Sequence, residues 1–181
     1  MIIGLVGFKQ VGKSTAAKYL EDKHKAKRIN MKDALVSEIK QNFPDLLAKL
    51  ADMHMMSVNQ LFDVKPELMR ALMQNYGTEV RRGDDQNYWT DRWKESVEGV
   101  KGMIVVDDVR FLNEAKAVRE MGGIIVRLTR PDIETGGTHS SETEQLSIEV
   151  DETIHCEPGS HQKLYEEMEN LIQAYIFSQQ Q

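Results

Sequence analysis

Three short runs, residues 2–6, 103–106 and 124–128, are apolar without a polar alternate face, a pattern that predicts strands buried on both sides of a parallel sheet. Weaker strand candidates are residues 27–30 and 153–156. Between them, apolar positions recur at helical spacing over residues 13–22, 32–41, 66–82, 87–97, 113–121 and 161–177. Pro66 suits a first helical turn, Gly122 and Gly123 suit a helix end, and Ser160 suits the cap of the last helix. Strands alternating with helices predict an α/β fold whose sheet is covered on both faces, with ligands at the carboxyl ends of the strands. No repeat, low-complexity tract or Pro/Gly/Ser linker interrupts the pattern, so one domain is expected over residues 1–181, frayed after Phe177.

Composition narrows the classes. At 181 residues, 40% apolar and 29% charged, the chain is that of a globular domain able to bury a full core. The single cysteine, Cys156, closes no disulfide within the chain and builds no cysteine zinc cluster, and the apolar run at the N-terminus is too short for a signal or a membrane span. The expected setting is cytoplasmic, with no membrane partner. The net charge of −6 hides an asymmetry: up to Arg130 there are 22 bases against 18 acids, and beyond it one base against 11 acids. Eight of the nine arginines lie between residues 70 and 130, and arginine is the side chain that holds phosphate bidentately. A small anionic ligand fits this pattern better than long nucleic acid, whose binding calls for an extended basic face. The competing reading pairs these arginines with neighbouring carboxylates on solvated helices.

The chemistry is concentrated after the first apolar run. Gly7-Phe8-Lys9-Gln10-Val11-Gly12-Lys13-Ser14 matches GxxxxGK[ST] between a strand and a helix, the context a phosphate-binding loop requires. Gly7 and Gly12 let the backbone wrap a phosphate, with Gln10, Val11 and Thr15 inside the loop and its helix start. Lys13 reaches the β and γ phosphates and Ser14 ligates Mg²⁺. A nucleoside triphosphate is the expected ligand; a glycine turn without ligand is the alternative. The run ending at Asp107-Asp108 delivers two carboxylates at a strand end. One would serve the Mg²⁺ shell and the other orient or deprotonate an acceptor, with Asp107 assigned to the metal and Asp108 to catalysis, although the pattern leaves them interchangeable. A solvated pair capping the next helix is the competing reading. Neither an NKxD nor a DxxG segment is present, which argues against a GTPase, and the chain is short for a motor or helicase.

Residues 69–82 (MRALMQNYGTEVRR), Tyr88-Trp89, residues 108–115 (DVRFLNEA) and residues 139–142 (HSSE) make the chain resemble the phage-type deoxynucleoside monophosphate kinases of the P-loop nucleoside monophosphate kinase-like family. The resemblance implies a three-layer α/β P-loop kinase fold with a five-stranded parallel sheet, the P-loop strand at its centre. It also implies acceptor-binding helices inserted at about residues 43–97 and a short lid at about 131–145. The implied activity is transfer of the γ-phosphate of ATP to a deoxynucleoside 5′-monophosphate, with ATP and Mg²⁺ as cofactors and, if the gene is phage-encoded, the host cytoplasm as setting. By the same resemblance Arg70, Gln74, Thr78, Arg81 and Arg82 line the acceptor site, with Asp33, Ser141 and Glu142 beside them. Asp108 and Arg110 face the reacting phosphates.

Arg81 and Arg82 also fit a helix C-terminal pair neutralising the helix dipole. Trp89 fits stacking on the base, but its helical spacing from Trp93 fits the core equally. The lid segment carries no arginine, so positive charge there would come from Arg127 and Arg130 at its root, or the lid would work through His139 and Ser141. Ser141 to Glu144 also fits a capping box. Kinases of the phosphomevalonate or dephospho-coenzyme A type, and a non-catalytic ATP-binding switch, are the alternative functions. Small nucleotides are the expected partners, and the sequence leaves a homodimer open.

Overall fold

All three apolar runs form strands: β1 (Ile2–Val6), β3 (Ile104–Val106) and β4 (Ile124–Thr129). The two weaker candidates supply the sheet edges, β2 (Lys27–Arg28) and β5 (Glu152–His155). In the computed structural model, which describes residues 1–133 and 143–178, the five strands pair in the order β2-β3-β1-β4-β5, every pair parallel. The strand leading into the glycine loop is therefore central, as expected from the resemblance. β2 is shorter than the sequence suggests, although the ladder runs on: Ile29 N donates to Val105 O at 3.1 Å.

Side chains alternate across a strand, and β1 uses both faces. Ile3 and Leu5 enter a core with Ala16, Ala17 and Leu20 of α1 (Lys13–His24) and Leu164, Met168 and Ile172 of the C-terminal helix His161–Ser178. Gly4 points the other way, where a Cβ would stand 3.3 Å from Val109 and 3.4 Å from Val118 of the helix Leu112–Glu120. Helices thus cover both faces of the sheet, a three-layer α/β arrangement.

Contacts divide the chain into two compact units, residues 1–30 with 97–181 and residues 31–96. The first holds the sheet. The second is helical: α2 (Met31–Asn42), α3 (Pro44–Met53), α4 (Val58–Val64), α5 (Glu67–Gln74) and α6 (Tyr88–Val97), around a core of Ile39, Leu47, Leu50, Leu61, Met69 and Trp89. The helices after it are α7 (Leu112–Glu120) and α8 (His161–Ser178). The periodicity reading names no separate helix at 44–64. Yet Pro44 stands at a first turn, and Ser57 and Gln60 exchange backbone and side-chain hydrogen bonds as a capping box.

The single helix expected over residues 66–82 is corrected to two geometries, because Asn75–Arg82 is π-helical. In this stretch Gly77 leaves its carbonyl to the Trp89 indole N–H at 2.9 Å and lies so close to Leu35 that a Cβ would stand 3.0 Å from it. Wider π turns of this kind are associated with functional segments. Among the described residues no helix is long and apolar enough to cross a membrane.

Candidate functional site

The glycine loop lies between the carboxyl end of β1 and the N-terminus of α1. Gly7 sits at φ 148° against β4, where a Cβ would come within 2.4 Å of the Leu128 carbonyl oxygen, and Gly12 at φ 112° leads into the helix. Neither conformation tolerates a side chain well. Gln10, at φ 69°, exposes its side chain, Val11 is buried, Ser14 is exposed and Thr15 is half-buried. No side chain caps the start of α1, and its first turn carries no acid, so the amide end keeps its positive potential.

Lys13 folds back over this loop and donates to the carbonyls of Gly7 and Phe8, at 2.8 Å in the second case. Burial, then the Arg110 guanidinium, lower its pKa to about 8, while Asp107 and Asp108 pull the other way. The charged groups at the end of β3 and just beyond it, Asp107, Asp108 and Arg110, therefore stand close enough to Lys13 to act on it. Asp107 is 7% exposed, Asp108 half-buried and Arg110 exposed. Asp107 accepts from Asn30 Nδ2 at 2.8 Å and from Arg28 NH1 at 3.3 Å. The turn after it is held by Glu114, which is buried and accepts the backbone N–H groups of Arg110 and Phe111 at 2.8 and 3.2 Å.

The two arginines at the end of β4 have partners of their own. Arg127 donates to the carbonyls of Gln145 and Ile148 at 3.2 and 2.6 Å, and its burial lowers its pKa. Arg130 is held by Asp132 and reaches the Gln10 carbonyl at 3.1 Å, which ties it to the glycine loop. Beside it lies a cleft of about 410 Å³ lined by Thr129, Arg130, Pro131, His155, Cys156, Glu157 and Lys163. Cys156 lines it, its sulfur would lie 3.6 Å from a Cβ on Gly12, and burial pushes its thiol pKa up.

In the second unit, Asp33 is exposed in the first turn of α2, Arg70 and Gln74 are exposed on α5, and Thr78, Arg81 and Arg82 are partly buried in the π-helical stretch. Arg81 is ion-paired with Glu38, and its guanidinium stands 5.2 and 5.0 Å from the Tyr76 and Tyr88 ring centres. Glu38 also accepts from Tyr76 OH at 2.7 Å and Tyr88 OH at 2.8 Å. Burial raises the Glu38 pKa, but these hydrogen bonds outweigh it and the net shift is downward. Of the two readings of Trp89, the structure carries packing: the ring is 3% exposed, with its indole N–H on Gly77. His139, Ser141 and Glu142 lie outside the described residues, as does most of the segment 131–145.

A family profile described as deoxynucleotide monophosphate kinase matches residues 48–168, well over half of the chain. The chain belongs to the deoxynucleotide monophosphate kinase family. A protein of Acanthamoeba polyphaga mimivirus, provisionally described as a deoxynucleotide monophosphate kinase, is 28% identical over 173 residues, spanning 82% of this chain and 83% of its own. The crystal structure of shikimate kinase from Aquifex aeolicus has a TM-score of 0.50 to this chain, at 13% identity, over 98% of this chain and 99% of that one. That likeness is one of fold, a P-loop kinase arrangement. Membership of the family makes the chain a nucleotide-binding phosphotransferase that uses ATP.

Four residues with evident roles escape the motif reading: Arg28 and Asn30, which hold Asp107; Glu114, quoted only as part of DVRFLNEA; and Glu38. Glu114 carries a visible signal, an acid three residues after Phe111 at a helix start. The other three carry none, because their partners are remote in sequence.

Proposed function

We propose that this chain transfers the γ-phosphate of ATP to a deoxynucleoside 5′-monophosphate, giving the deoxynucleoside diphosphate and ADP. The observation that carries the reading is the convergence of Lys13, Arg110, Asp107 and Asp108 at the carboxyl ends of β1 and β3, beside a loop whose backbone at Gly7 and Gly12 takes a conformation that favours glycine. In this reading Gly7, Gln10, Val11, Gly12, Lys13, Ser14 and Thr15 bind the triphosphate. The cleft between Arg130 and Lys163 takes the donor nucleoside, and Arg127 and Arg130 add positive charge at its edge. An oxygen of the acceptor phosphate attacks the γ-phosphorus as the bond to the β–γ bridging oxygen breaks, and ADP departs with that electron pair. Lys13 and Arg110 offset the charge that builds on the transferring group.

Mg²⁺ belongs to the reading on the chemistry of the donor set. The Ser14 hydroxyl and the aspartate carboxylates are hard oxygen ligands, the kind Mg²⁺ takes along with substrate phosphates. When bound, the ion would neutralise phosphate charge.

The acceptor residues proposed are Asp33, Arg70, Gln74, Thr78, Arg81, Arg82, Ser141 and Glu142. A dianionic phosphomonoester suits guanidinium partners, and the second unit supplies three of them. The setting proposed is the cytoplasm, where both nucleotides are found. The test is ADP release from Mg-ATP against dAMP, dCMP, dGMP, dTMP and their ribo forms, with phosphomevalonate and dephospho-coenzyme A in the panel. Release that requires a deoxynucleotide is expected. Release only with a non-nucleotide acceptor, or none with any acceptor, would overturn the reading.

A further inference from the structure

We infer that Arg92 is a further acceptor-binding residue, set with Arg81 against the ring of Tyr88, and that Glu38 is the positioning residue that fixes this pair of guanidinium groups. The inference rests on the phosphotransfer reading above and adds to it a residue outside every segment that carries the family resemblance.

The arrangement begins on one helix. Tyr88 opens α6 and Arg92 follows it by one turn, so both stand on the same face. Helical side chains lean toward the N-terminus of their helix, which brings the later residue over the earlier one. The Arg92 guanidinium carbon accordingly lies 3.7 Å from the centre of the Tyr88 ring. Arg92 is exposed, and among the described residues no carboxylate is paired with it. Asp91, its neighbour in sequence, pairs with Lys94 at 3.6 Å. A guanidinium held against a ring keeps its edge donors for an anion and has less freedom to lose on binding one. Arg81 comes to the same ring from the π-helical stretch, its guanidinium carbon 5.0 Å from the ring centre. The two guanidinium carbons lie no farther apart than those two distances together, which keeps both groups within reach of one phosphomonoester.

Charge favours an anion here. The Glu38 carboxylate of α2 is fully engaged inside the cluster: Oε1 accepts from Tyr76 OH at 2.7 Å and from Arg81 NH2, and Oε2 accepts from Tyr88 OH at 2.8 Å. Tyr76 OH in turn accepts from Asn42 Nδ2 at 2.8 Å and from Arg81 NH2 at 2.9 Å. One carboxylate stands against two guanidinium groups, so the cluster keeps a net positive charge. Burial and the Glu38 hydrogen bond raise the Tyr88 pKa, and the charges of Arg92 and Arg81 oppose that rise, so both cations act on the same hydroxyl. By bonding both tyrosines and Arg81 at once, Glu38 ties α2, the π-helical stretch and the start of α6 together. It thereby sets the place of both guanidinium groups, Arg81 directly and Arg92 through the Tyr88 ring.

The test uses the full chain with three readouts: kcat with separate KM values for ATP and for each of dAMP, dCMP, dGMP and dTMP, calorimetric binding of the same four without ATP, and thermal unfolding. Arg92→Gln is expected to raise the acceptor KM and Kd about tenfold, the scale of one charge-assisted hydrogen bond, while the KM for ATP and the melting temperature stay close to wild type. Arg92→Lys keeps the charge without the planar fork and should recover part of the loss. Glu38→Gln should weaken acceptor binding in the wild-type chain and add nothing in a chain that already carries Arg81→Gln and Arg92→Gln. An acceptor KM and Kd unchanged in Arg92→Gln, or an equal rise in the KM for ATP, would overturn the role of Arg92. A full additional effect of Glu38→Gln in the doubly substituted chain would overturn its positioning role. If the wild-type chain binds a deoxynucleoside monophosphate and transfers no phosphate, the phosphotransfer reading fails and the binding comparison still decides for Arg92. If it binds none of the four, the inference fails with it.

Discussion

An ammonium group drawn into a backbone loop beside a guanidinium gives up its proton more easily than one in water. Lys13 is in that position, with a pKa of about 8 in the ligand-free protein. The unfolded chain keeps that proton until about pH 10.5, so the group's contribution to stability rises between pH 8 and 10.5 and is constant below. Binding of a triphosphate has the opposite demand, because only the charged form neutralises phosphate. Nucleotide affinity should therefore fall as pH rises above about 8, and binding at pH 8.5 should take up protons. Calorimetry in two buffers of different ionisation enthalpy measures this directly; equal apparent enthalpies would contradict it. At this scale the sequence is legible where the motif is local, as with Gly7, Gly12 and Lys13. It is silent on Asn30 and Glu38, because the groups that define them lie 77 residues away at Asp107 and 43 residues away at Arg81.

Helix ends and helix pairs carry the next level. Glu114 is 3% exposed and accepts two backbone N–H groups at the start of α7. Glu114→Ala leaves those donors without their partner, and a loss of about 1–3 kcal/mol is expected in denaturant unfolding. Phosphotransfer should fall with it, since the same turn carries Asp108 and Arg110. Between α1 and α8, Glu169 accepts from His24 at 2.5 Å and from Tyr19 at 2.8 Å and pairs with Lys23 at 3.2 Å, while Tyr19 and Tyr165 stack at 4.2 Å. The His24 hydrogen bond is the largest cause that brings the Glu169 pKa down to about 2, against the opposing effect of burial. A depressed carboxylate stabilises the fold above its unfolded pKa of about 4.5 and loses that contribution as pH falls toward 2. Glu169→Gln should flatten the acid limb of the stability curve between those values, and an unchanged acid limb would remove the clamp from the account.

Element boundaries are legible to different degrees for physical reasons. Strands such as Ile104–Val106 are apolar because both faces are covered, and that pattern survives in the letters. The π-helical geometry of Asn75–Arg82 does not survive there, because it accompanies contacts of Gly77 with Leu35 and Trp89 that helical periodicity does not encode.

For the whole molecule, the order β2-β3-β1-β4-β5 sets the carboxyl ends of the central strands, and hence Gly7, Asp107 and Arg130, at one edge of one sheet. This much follows from alternating strands and helices and a glycine loop, and the family and fold comparisons agree with it. The acceptor assignments in residues 69–82 rest on resemblance, and the base that is read there depends on side-chain geometry outside any motif. Transfer, as distinct from nucleotide binding or hydrolysis, is the activity proposed for this chain. The most direct measurement follows the label from ATP carrying a radioactive γ-phosphate, incubated with the protein and each deoxynucleoside monophosphate in turn and separated by chromatography. Label is expected in a deoxynucleoside diphosphate, and is expected to be lost in Lys13→Ala. Label found only in inorganic phosphate, or remaining in ATP with every acceptor, would contradict it.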